Sequence, residues 1–389
     1  MAYRRLGFND GSIALLANDH PWGDADYKLG PVLQMSLHKL LLARIAQNGP
    51  LSVADYMAEC LLHPEFGYYT TRDPFGAAGD FITAPEISQM FGELLGLCIA
   101  QAWIDQGRPN RFTLAEVGPG RGTLMADMLR ATKNIEGFHR AADIVLIEAS
   151  AKLIAQQKKT LSAVQPRWIS QLDDLPDQPL FLVANEFYDA LPIRQFMRQG
   201  AAWRERQVGS EGGNLSWGLG PALPQPFLNP RLADTDDGTM VEYAPAAGPI
   251  TVQISARINA HGGAALILDY GDWQPKGDSF QAVKAHEKIG PLETPGAADL
   301  TAHVDFAALA RAAAPAAHSA LTPQGVFLER LGITARAEAL AQNLTGGALQ
   351  NHITAHRRLT HPEEMGSLFK VMALMPQGTH APAGLDDDA

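Results

Sequence analysis

The stretch LAEVGPGRGTL, residues 114–124, contains three glycines at alternate positions, a proline among them and an acid just before them. A dinucleotide-binding loop needs the spacing Gly-x-Gly-x-x-Gly or Ala, but Thr123 stands where the third small residue should be. Pro119 removes one of the backbone N–H groups on which a phosphate nest depends. Glu116 would repel a pyrophosphate and could attract a cationic group. A phosphate site is therefore disfavoured, which makes a nicotinamide oxidoreductase a weak hypothesis.

S-Adenosylmethionine is the alternative ligand, because it has no phosphate and carries an α-ammonium group, a sulfonium and a ribose diol. Gly118, Gly120 and Gly122 would let the backbone approach such a ligand closely, and Glu116 could face its cationic end. Glu148 ends the next predicted strand and could accept both ribose hydroxyls. Each feature alone is equally compatible with a bare strand-to-helix corner or a solvated strand end. The two together, in register on consecutive strands, favour a cofactor site.

The elements that must position these residues alternate between strands and helices from Arg111 onward. Short apolar runs predict buried strands at 112–118, 143–150, 179–187 and 262–271. The amphipathic segments 123–132 and 151–161 predict helices between them. This alternation predicts an α/β fold with a mostly parallel sheet and helices on both faces. Ligands of such sheets bind beyond the carboxyl ends of the strands, which is where Glu116 and the glycines lie.

The remaining segments predict three further parts of the chain. Helices are expected from Met35 and from SVAD (52–55), and TAPE (83–86) is expected to cap a helix that continues to Ala102. Polar and apolar residues alternate around Gly-rich turns over 193–220, which predicts an antiparallel meander. The predicted organisation is a loosely structured leader (1–34), a helical N-terminal region contributing to the cofactor site (35–110) and a core (111–389) with an insertion at about 193–261.

Composition restricts the partners and the location of the protein. The 389 residues carry a net charge of −11, which gives no electrostatic footprint for nucleic acid. Two cysteines and histidines without ligand spacing predict no metal site. The longest strongly apolar run, 94–104, is too short to span a bilayer. Acids among the first 30 residues argue against a mitochondrial presequence, so a cytoplasmic location is expected. The oligomeric state stays open.

Six blocks of sequence resemble one known protein family. They are GDFITAPEISQMFGELLG (79–96), EVGPGRGTLMADMLR (116–130), ANEFYDALPIRQF (184–196), LILDYG (266–271), PGAADLTAHVDFAAL (295–309) and MGSLFKVMAL (365–374). From about Leu37 to Met375 the chain resembles the S-adenosylmethionine-dependent methyltransferase family of the mitochondrial complex I assembly factor and its bacterial relatives. The resemblance implies a seven-stranded class I methyltransferase core. It also implies symmetric dimethylation of an arginine in a peripheral-arm subunit of NADH:quinone oxidoreductase, the activity of the mitochondrial members.

An arginine acceptor would need carboxylates around it, because the pKa of its guanidinium is too high for simple deprotonation. The segment NEFYDALP (185–192) leaves the carboxyl end of the strand predicted at 179–187. We predict that Glu186 and Asp189 orient the guanidinium and that Asn185 offers its carbonyl oxygen. Asp189 could instead cap the next turn. Tyr188 is expected to pack in the core rather than to form a wall of the site.

A second group of cofactor contacts is predicted in the segment that leads into the TAPE helix, where free N–H groups could meet the donor's methionine carboxylate. The predicted residues are Gly79, Asp80, Phe81, Thr83 and Ser88. Helix capping by Thr83 and Glu86 explains these two residues equally well. The competing functional hypothesis is a non-catalytic assembly chaperone that binds S-adenosylmethionine.

Two other acids have a structural interpretation. Asp305 in HVD (303–305) is expected to be a helix N-cap rather than the partner of His303 in an acid–base pair. Asp269 ends the strand LILDYG and could either border the substrate cleft or be purely structural.

Overall fold

The computed structural model of the protein describes residues 36–71 and 83–388. These residues form two compact units. The first unit combines 36–71, 190–246 and 275–302, and the second combines 83–189, 247–274 and 303–388. Within the described ranges, no helix is both long enough and apolar enough to cross a lipid bilayer.

The described helices and strands are numbered in chain order. The helices are α1 Leu37–Asn48, α2 Val53–Leu62, α3 Tyr68–Thr71, α4 Ala84–Ile87, α5 Gln89–Asp105, α6 Thr123–Thr132, α7 Phe138–Ala141, α8 Ala151–Thr160, α9 Ala247–His261, α10 Phe306–Ala313, α11 Gln324–Arg330, α12 Ile333–Ala341 and α13 Gly346–Thr360. The strands are β1 Leu51–Ser52, β2 Phe112–Val117, β3 Ala142–Ile147, β4 Arg167–Ile169, β5 Leu180–Asn185, β6 Arg194–Gln199, β7 Ala202–Glu211, β8 Asn214–Leu223, β9 Met240–Tyr243, β10 Gly263–Asp272, β11 Gln281–Lys284, β12 Glu287–Ile289, β13 Asp299–Thr301, β14 Val304–Asp305, β15 Ala317–His318, β16 Thr322–Pro323 and β17 Phe369–Met375.

The second unit is built on one large sheet with the strand order β15–β17–β10–β5–β2–β3–β4. Strands β4, β3, β2, β5 and β10 are parallel, and β17 is antiparallel to β10. Two short strands, β14 and β16, pair with β10 and β17. The predicted α/β fold with a mostly parallel sheet is therefore confirmed, with seven strands along the main path of a nine-stranded sheet. The three-residue strand β4 was not predicted, because it is too short to give a periodic signal.

The helix that begins the second unit differs from the prediction. A single capped helix from TAPE to Ala102 is wrong, because α4 ends at Ile87 and α5 begins at Gln89. Ser88 lies between them in an extended conformation, and its hydroxyl accepts the N–H of Met90 at 3.2 Å. Ser88 is thus the N-cap of α5. The expected capping box is also absent, since the Thr83 side chain makes no capping hydrogen bond to α4.

Close packing of α5 against α6 fixes the helix that follows the glycine loop. A Cβ atom on Gly96 would lie 2.7 Å from the Cα atom of Met128, and one on Gly92 would lie 2.6 Å from the Cβ atom of Asp127. No real side chain tolerates such distances, so the two glycines allow the helices to touch along their backbones. Beneath them, Phe112 of β2 is fully buried in the core.

The first unit contains an antiparallel sheet with the path β1–β7–β6–β9, and β8 pairs with β7. The antiparallel meander predicted over 193–220 is therefore confirmed as β6, β7 and β8. Strands β11, β12 and β13 form a separate small sheet. Helices α1 and α2 lie where the sequence predicts them, and the Ser52 hydroxyl accepts the N–H of Asp55 at 3.0 Å as the N-cap of α2.

Candidate active site

The glycine loop after β2 requires glycine for conformational reasons. Gly118, Gly120 and Gly122 have φ values of 65°, 51° and 81°, which lie in the left-handed region that other residues adopt at a cost. A Cβ atom on Gly118 would also lie 3.2 Å from Cδ2 of Phe187. The loop after β2 therefore lies against the loop after β5. The loop predicted to bind the methyl donor and the loop predicted to bind the guanidinium group are thus in contact within the second unit.

Glu116 lies in β2 just before this loop and is buried, with 3% of its surface exposed. Its carboxylate accepts the backbone N–H of Met125 in the first turn of α6, where helix amides have no partner within the helix. Among the described residues, its Oε2 atom has no hydrogen-bond partner. Burial raises the pKa of Glu116 to about 8, and the charge of Glu148 contributes to the rise. The two predicted acids are therefore close enough to interact.

Glu148 lies just beyond the end of β3 and is half-buried. Its Oε1 accepts the N–H of Ser150 at 2.8 Å, and its Oε2 accepts Nε2 of Gln157 at 3.2 Å. Burial raises the pKa of Glu148, and these hydrogen bonds oppose the rise. The same Nε2 atom of Gln157 also donates to the carbonyl oxygen of Gly120 at 2.8 Å. One side chain thus joins the glycine loop to the second acid.

The sequence analysis did not predict a role for Gln157 in this site. The available signal is its place on α8, where it interrupts the apolar stripe of Leu153, Ile154 and Leu161. Gln157 is fully buried, whereas a glutamine at such a position would normally be exposed.

Glu186 begins the loop after β5 and adopts a left-handed backbone with φ of 51°. Its Oε1 atom accepts the N–H of Ala84 at 3.1 Å and Nδ2 of Asn185 at 3.2 Å. Asn185 is buried, and its Oδ1 atom has no hydrogen-bond partner among the residues that the structure describes. A left-handed residue other than glycine stores strain, and such residues cluster at functional sites.

Asp269 of β10 holds the rest of this loop in place. Its Oδ2 atom accepts three successive backbone N–H groups, those of Phe187, Tyr188 and Asp189, at 3.2, 2.9 and 3.2 Å. Its Oδ1 atom accepts the N–H of Tyr270 at 3.0 Å. Asp269 is fully buried. Burial and the neighbouring charges of Asp189 and Glu186 raise its pKa well above the ordinary range, although the amide donors oppose the rise. The sequence left the role of Asp269 open between bordering the substrate cleft and a purely structural one, and its hydrogen bonds to this loop were not predicted.

The other predicted residues divide into three groups. Tyr188 packs in the core as expected, with its hydroxyl 3.2 Å from Oγ1 of Thr251. Asp305 is the expected N-cap of α10 and accepts the N–H of Ala308 at 3.0 Å. Thr83 is buried, and Ser88 caps α5, so their contacts with a cofactor stay predictions. Gly79, Asp80 and Phe81 lie outside the described residues.

Known proteins with similar sequences are methyltransferases. Residues 94–324 match the sequence model of a family described as S-adenosyl-L-methionine-dependent methyltransferase. The human mitochondrial protein arginine methyltransferase NDUFAF7 is 37% identical over 376 residues, which cover 89% of this chain and 84% of the relative. The NDUFAF7 protein of Xenopus tropicalis is 36% identical over 367 residues, with coverages of 87% and 85%.

A solved structure agrees with these relatives. A protein from Burkholderia thailandensis, crystallised with S-adenosyl-homocysteine, has 30% sequence identity and a TM-score of 0.75. The match covers 90% of this chain and 93% of that protein.

The expectation of a cytoplasmic location is wrong on these findings, because both sequence relatives are named as mitochondrial proteins. It rested on the acids among the first 30 residues. The class I methyltransferase fold and the matches over most of the chain lead to one conclusion: the chain belongs to the S-adenosylmethionine-dependent methyltransferase family and is an enzyme whose methyl donor is S-adenosylmethionine.

Proposed function

We propose that this enzyme methylates an arginine side chain of a protein and that the product is symmetric dimethylarginine. The proposed acceptor is a peripheral-arm subunit of NADH:quinone oxidoreductase, modified while that complex assembles. Two findings support the proposal. The sequence relatives are named protein arginine methyltransferases, and the loop after β5 presents acids beside the glycine loop.

The residues of the glycine loop fit the methyl donor. The buried Oε2 atom of Glu116 is without a described partner, and the raised pKa of this carboxyl means that a nearby cation would stabilise its charged form. We propose that Glu116 faces the donor's ammonium group and that Glu148 accepts hydrogen bonds from its ribose hydroxyls. Gly118, Gly120 and Gly122 would allow the donor to lie close to the main chain of the loop.

The predicted contacts before α5 belong to the same proposal. They are Gly79, Asp80, Phe81, Thr83 and Ser88.

When bound, S-adenosylmethionine supplies an electrophilic methyl group on a positively charged sulfur. The protein must align the acceptor nitrogen and balance its charge. Glu186 and Asp189 would bind the guanidinium N–H groups and favour a lone pair on one terminal nitrogen. The Oδ1 atom of Asn185 would accept a further N–H. The nitrogen that gains a methyl group loses a proton, and a carboxylate oxygen of Glu186 can receive it. Asp269 would hold the loop without touching the substrate.

One observation carries this proposal: Glu186 keeps a strained left-handed backbone at the end of β5, in a loop that a buried carboxylate fixes through three amides. A purely structural turn would be served better by glycine at this position. The carboxylate of Glu186 is the feature that glycine could not supply.

The test uses the full chain, radiolabelled S-adenosylmethionine and the candidate subunits of the oxidoreductase. Wild-type protein should label one subunit, and acid hydrolysis should release symmetric dimethylarginine. Glu186→Gln should reduce labelling about 100-fold or more, which is typical for loss of a catalytic acid or base. Glu136→Gln, at an exposed glutamate in the same unit, is the matched control and should leave labelling unchanged.

Several outcomes would count against the proposal. Labelled lysine or glutamine instead of arginine would show a different acceptor. Donor binding with clear thermal stabilisation, but without transfer to any subunit at saturating donor, would favour a binding role in assembly. A ligand at 100 times its dissociation constant should stabilise the protein by about 2.7 kcal/mol, so such binding is measurable.

A further inference from the structure

Gln157 is a buried side chain whose three hydrogen-bond partners all have fixed chemical character. Its Oε1 atom accepts the indole N–H of Trp168 at 2.8 Å. Its Nε2 atom donates to the carbonyl oxygen of Gly120 at 2.8 Å and to Oε2 of Glu148 at 3.2 Å. An indole N–H can only donate, and a carbonyl or an ionised carboxylate can only accept. Every partner therefore requires the same orientation of the amide group.

This orientation connects three parts of the second unit. Trp168 lies in β4, Gly120 lies in the loop after β2, and Glu148 follows β3. A fully buried amide with all its partners satisfied is rigid, because any rotation would leave buried polar groups unpaired. The main chain supports the same arrangement, since a Cβ atom on Gly122 would lie 3.5 Å from Cγ of Gln157, in ordinary contact.

The contact with Glu148 determines how that carboxylate can be used. Ser150 donates to Oε1, Gln157 donates to Oε2, and the backbone N–H of Ala149 is a third donor to this carboxylate. These three donors do not use all of the roughly four lone-pair sites of a carboxylate, so it can still accept a hydrogen bond from a ligand. Two hydroxyls on neighbouring carbons of a ribose match a carboxylate whose rotation is fixed in this way.

We propose that Gln157 is a positioning residue for the ribose of the methyl donor. Its hydrogen bond to Glu148 fixes the rotation of that carboxylate so that it can accept both ribose hydroxyls. Its hydrogen bond to the carbonyl of Gly120 fixes the carboxylate relative to the glycine loop. The inference rests on the ribose-binding role proposed for Glu148, and it assigns to Gln157 a function that packing alone does not require.

The test measures binding by calorimetry with S-adenosyl-homocysteine and with its 2′-deoxy counterpart, using the full chain. Gln157→Met keeps the length of the side chain and removes its hydrogen bonds. S-Adenosyl-homocysteine should bind this variant about 10- to 100-fold more weakly, since hydrogen bonds to charged groups have effects of that size. The 2′-deoxy ligand should lose much less affinity, so the wild-type preference for the ribose should largely disappear.

Gln156→Met is the matched control, because Gln156 is the exposed neighbour of Gln157 on the same helix. It should bind both ligands like the wild type. Trp168→Phe is a second, milder variant. It removes the indole N–H that orients the amide but leaves Gln157 in place, so we expect a loss of ribose preference between those of the wild type and Gln157→Met.

The outcomes separate Gln157 from Glu148. If Gln157→Met folds but weakens both ligands by the same factor, Gln157 only shapes the loop and the inference is wrong. If Glu148→Gln abolishes the ribose preference while Gln157→Met retains it, the role of Glu148 survives and that of Gln157 does not. If Glu148→Gln retains the preference, the role of Glu148 fails, and the inference fails with it. Should Gln157→Met not fold, the Trp168→Phe result decides.

Discussion

The two loops that meet in the second unit solve the same backbone problem in different ways. The loop after β2 turns through the left-handed region with Gly118, Gly120 and Gly122, whereas the loop after β5 does so with Glu186. Glycine adopts this conformation without steric cost, but a glutamate pays roughly 1–2 kcal/mol. The first loop is therefore relaxed, and the second retains strain in order to keep a carboxylate.

The loops also differ in what holds them. A neutral amide, Gln157, fixes the carbonyl of Gly120, whereas a buried carboxylate, Asp269, fixes the amides of residues 187–189. A carboxylate beside Glu186 and Asp189 adds negative charge to negative charge. That repulsion is relieved when a cation binds. The first loop is therefore shaped so that a ligand can approach its main chain closely. The second loop concentrates negative charge that a bound cation would stabilise.

The largest effect is expected from Asp269→Asn, which breaks the support of the second loop. An amide cannot present two acceptor oxygens, so at least one of the four backbone N–H groups around Asp269 loses its partner. Since both Glu186 and Asp189 depend on this loop, methyl transfer should fall about 1,000-fold, the upper range for disrupting preorganised electrostatics. Steady-state kinetics should show the loss in kcat.

Donor binding separates this prediction from general unfolding. The dissociation constant of S-adenosyl-homocysteine for Asp269→Asn should stay within about threefold of the wild type, because the first loop has its own support. Asp272→Asn, an exposed acid at the end of the same strand, is the matched control. Equal losses in both variants would contradict the special role of Asp269.

The contrast between the loops also shows what a sequence can reveal. Strands β2 and β5 follow from short, continuous apolar runs, because both of their faces are buried, and helix α6 follows from apolar residues at helical spacing. The predicted acids at positions 116 and 148 interact in the structure for the same reason, since parallel strands end at one edge. The support of Asp269 for residues 187–189 could not be predicted, because 80 residues separate the partners and no local spacing records the contact.

Local capping signals were correct at Ser52 and Asp305 but wrong at Thr83. Thr83 and Glu86 have the spacing of a capping box, but Glu86 accepts the hydroxyl of Thr123 at 2.7 Å instead. The N–H of Ala84, at the start of α4, goes to Glu186. A helix end accepts any oxygen that tertiary packing brings near it. The neighbouring sequence then says little about which oxygen is used.

A smaller effect is expected when Glu186→Gly makes the second loop resemble the first. Glycine relieves the left-handed strain but removes the carboxylate that accepts the N–H of Ala84 and the amide of Asn185. The gain and the loss in stability are each about 1 kcal/mol and should nearly cancel. Methyl transfer should nevertheless fall about 100-fold. Chemical denaturation and kinetics on one preparation check both expectations.

If Glu186→Gly unfolded at a much lower denaturant concentration than the wild type, the claim that the backbone of Glu186 is strained would be wrong. Glu186→Ala provides the comparison, because alanine removes the carboxylate and keeps the strain. It should be less stable than Glu186→Gly by about 1 kcal/mol, with similar loss of methyl transfer.

Next in size is a pH effect that belongs to the first loop. Because burial raises the pKa of Glu116 to about 8 in the folded protein, the folded state holds its proton more tightly than the unfolded chain does. The free energy of unfolding of the donor-free protein should therefore fall as pH rises from about 5 to 8, by about 1.4 kcal/mol per pH unit at most. Denaturant titrations at several pH values should show that Glu116→Gln lacks this contribution to the pH dependence of stability.

Donor binding should also depend on the protonation state of Glu116. A cationic ligand beside Glu116 favours the charged carboxylate, so binding at pH 7 should release up to one proton. Calorimetry in two buffers with different ionisation heats measures this release, and Glu116→Gln should abolish it. An unchanged proton release in that variant would mean that Glu116 does not face the donor.

The smallest effect comes from alanine at two glycines of the first loop, and it tests whether the two loops are mechanically joined. Gly122→Ala adds a Cβ atom at an ordinary contact distance of 3.5 Å, so only the left-handed backbone penalty of roughly 1–2 kcal/mol applies. Gly118→Ala has the same backbone penalty, and its Cβ atom would also lie 3.2 Å from the ring of Phe187. Because Phe187 follows Glu186 and donates its N–H to Asp269, this contact should affect the second loop. Both variants should therefore unfold at a lower temperature than the wild type, Gly118→Ala at a slightly lower one than Gly122→Ala, whereas kcat at saturating donor should fall only in Gly118→Ala. Equal kcat values would mean that the loops touch without influencing each other.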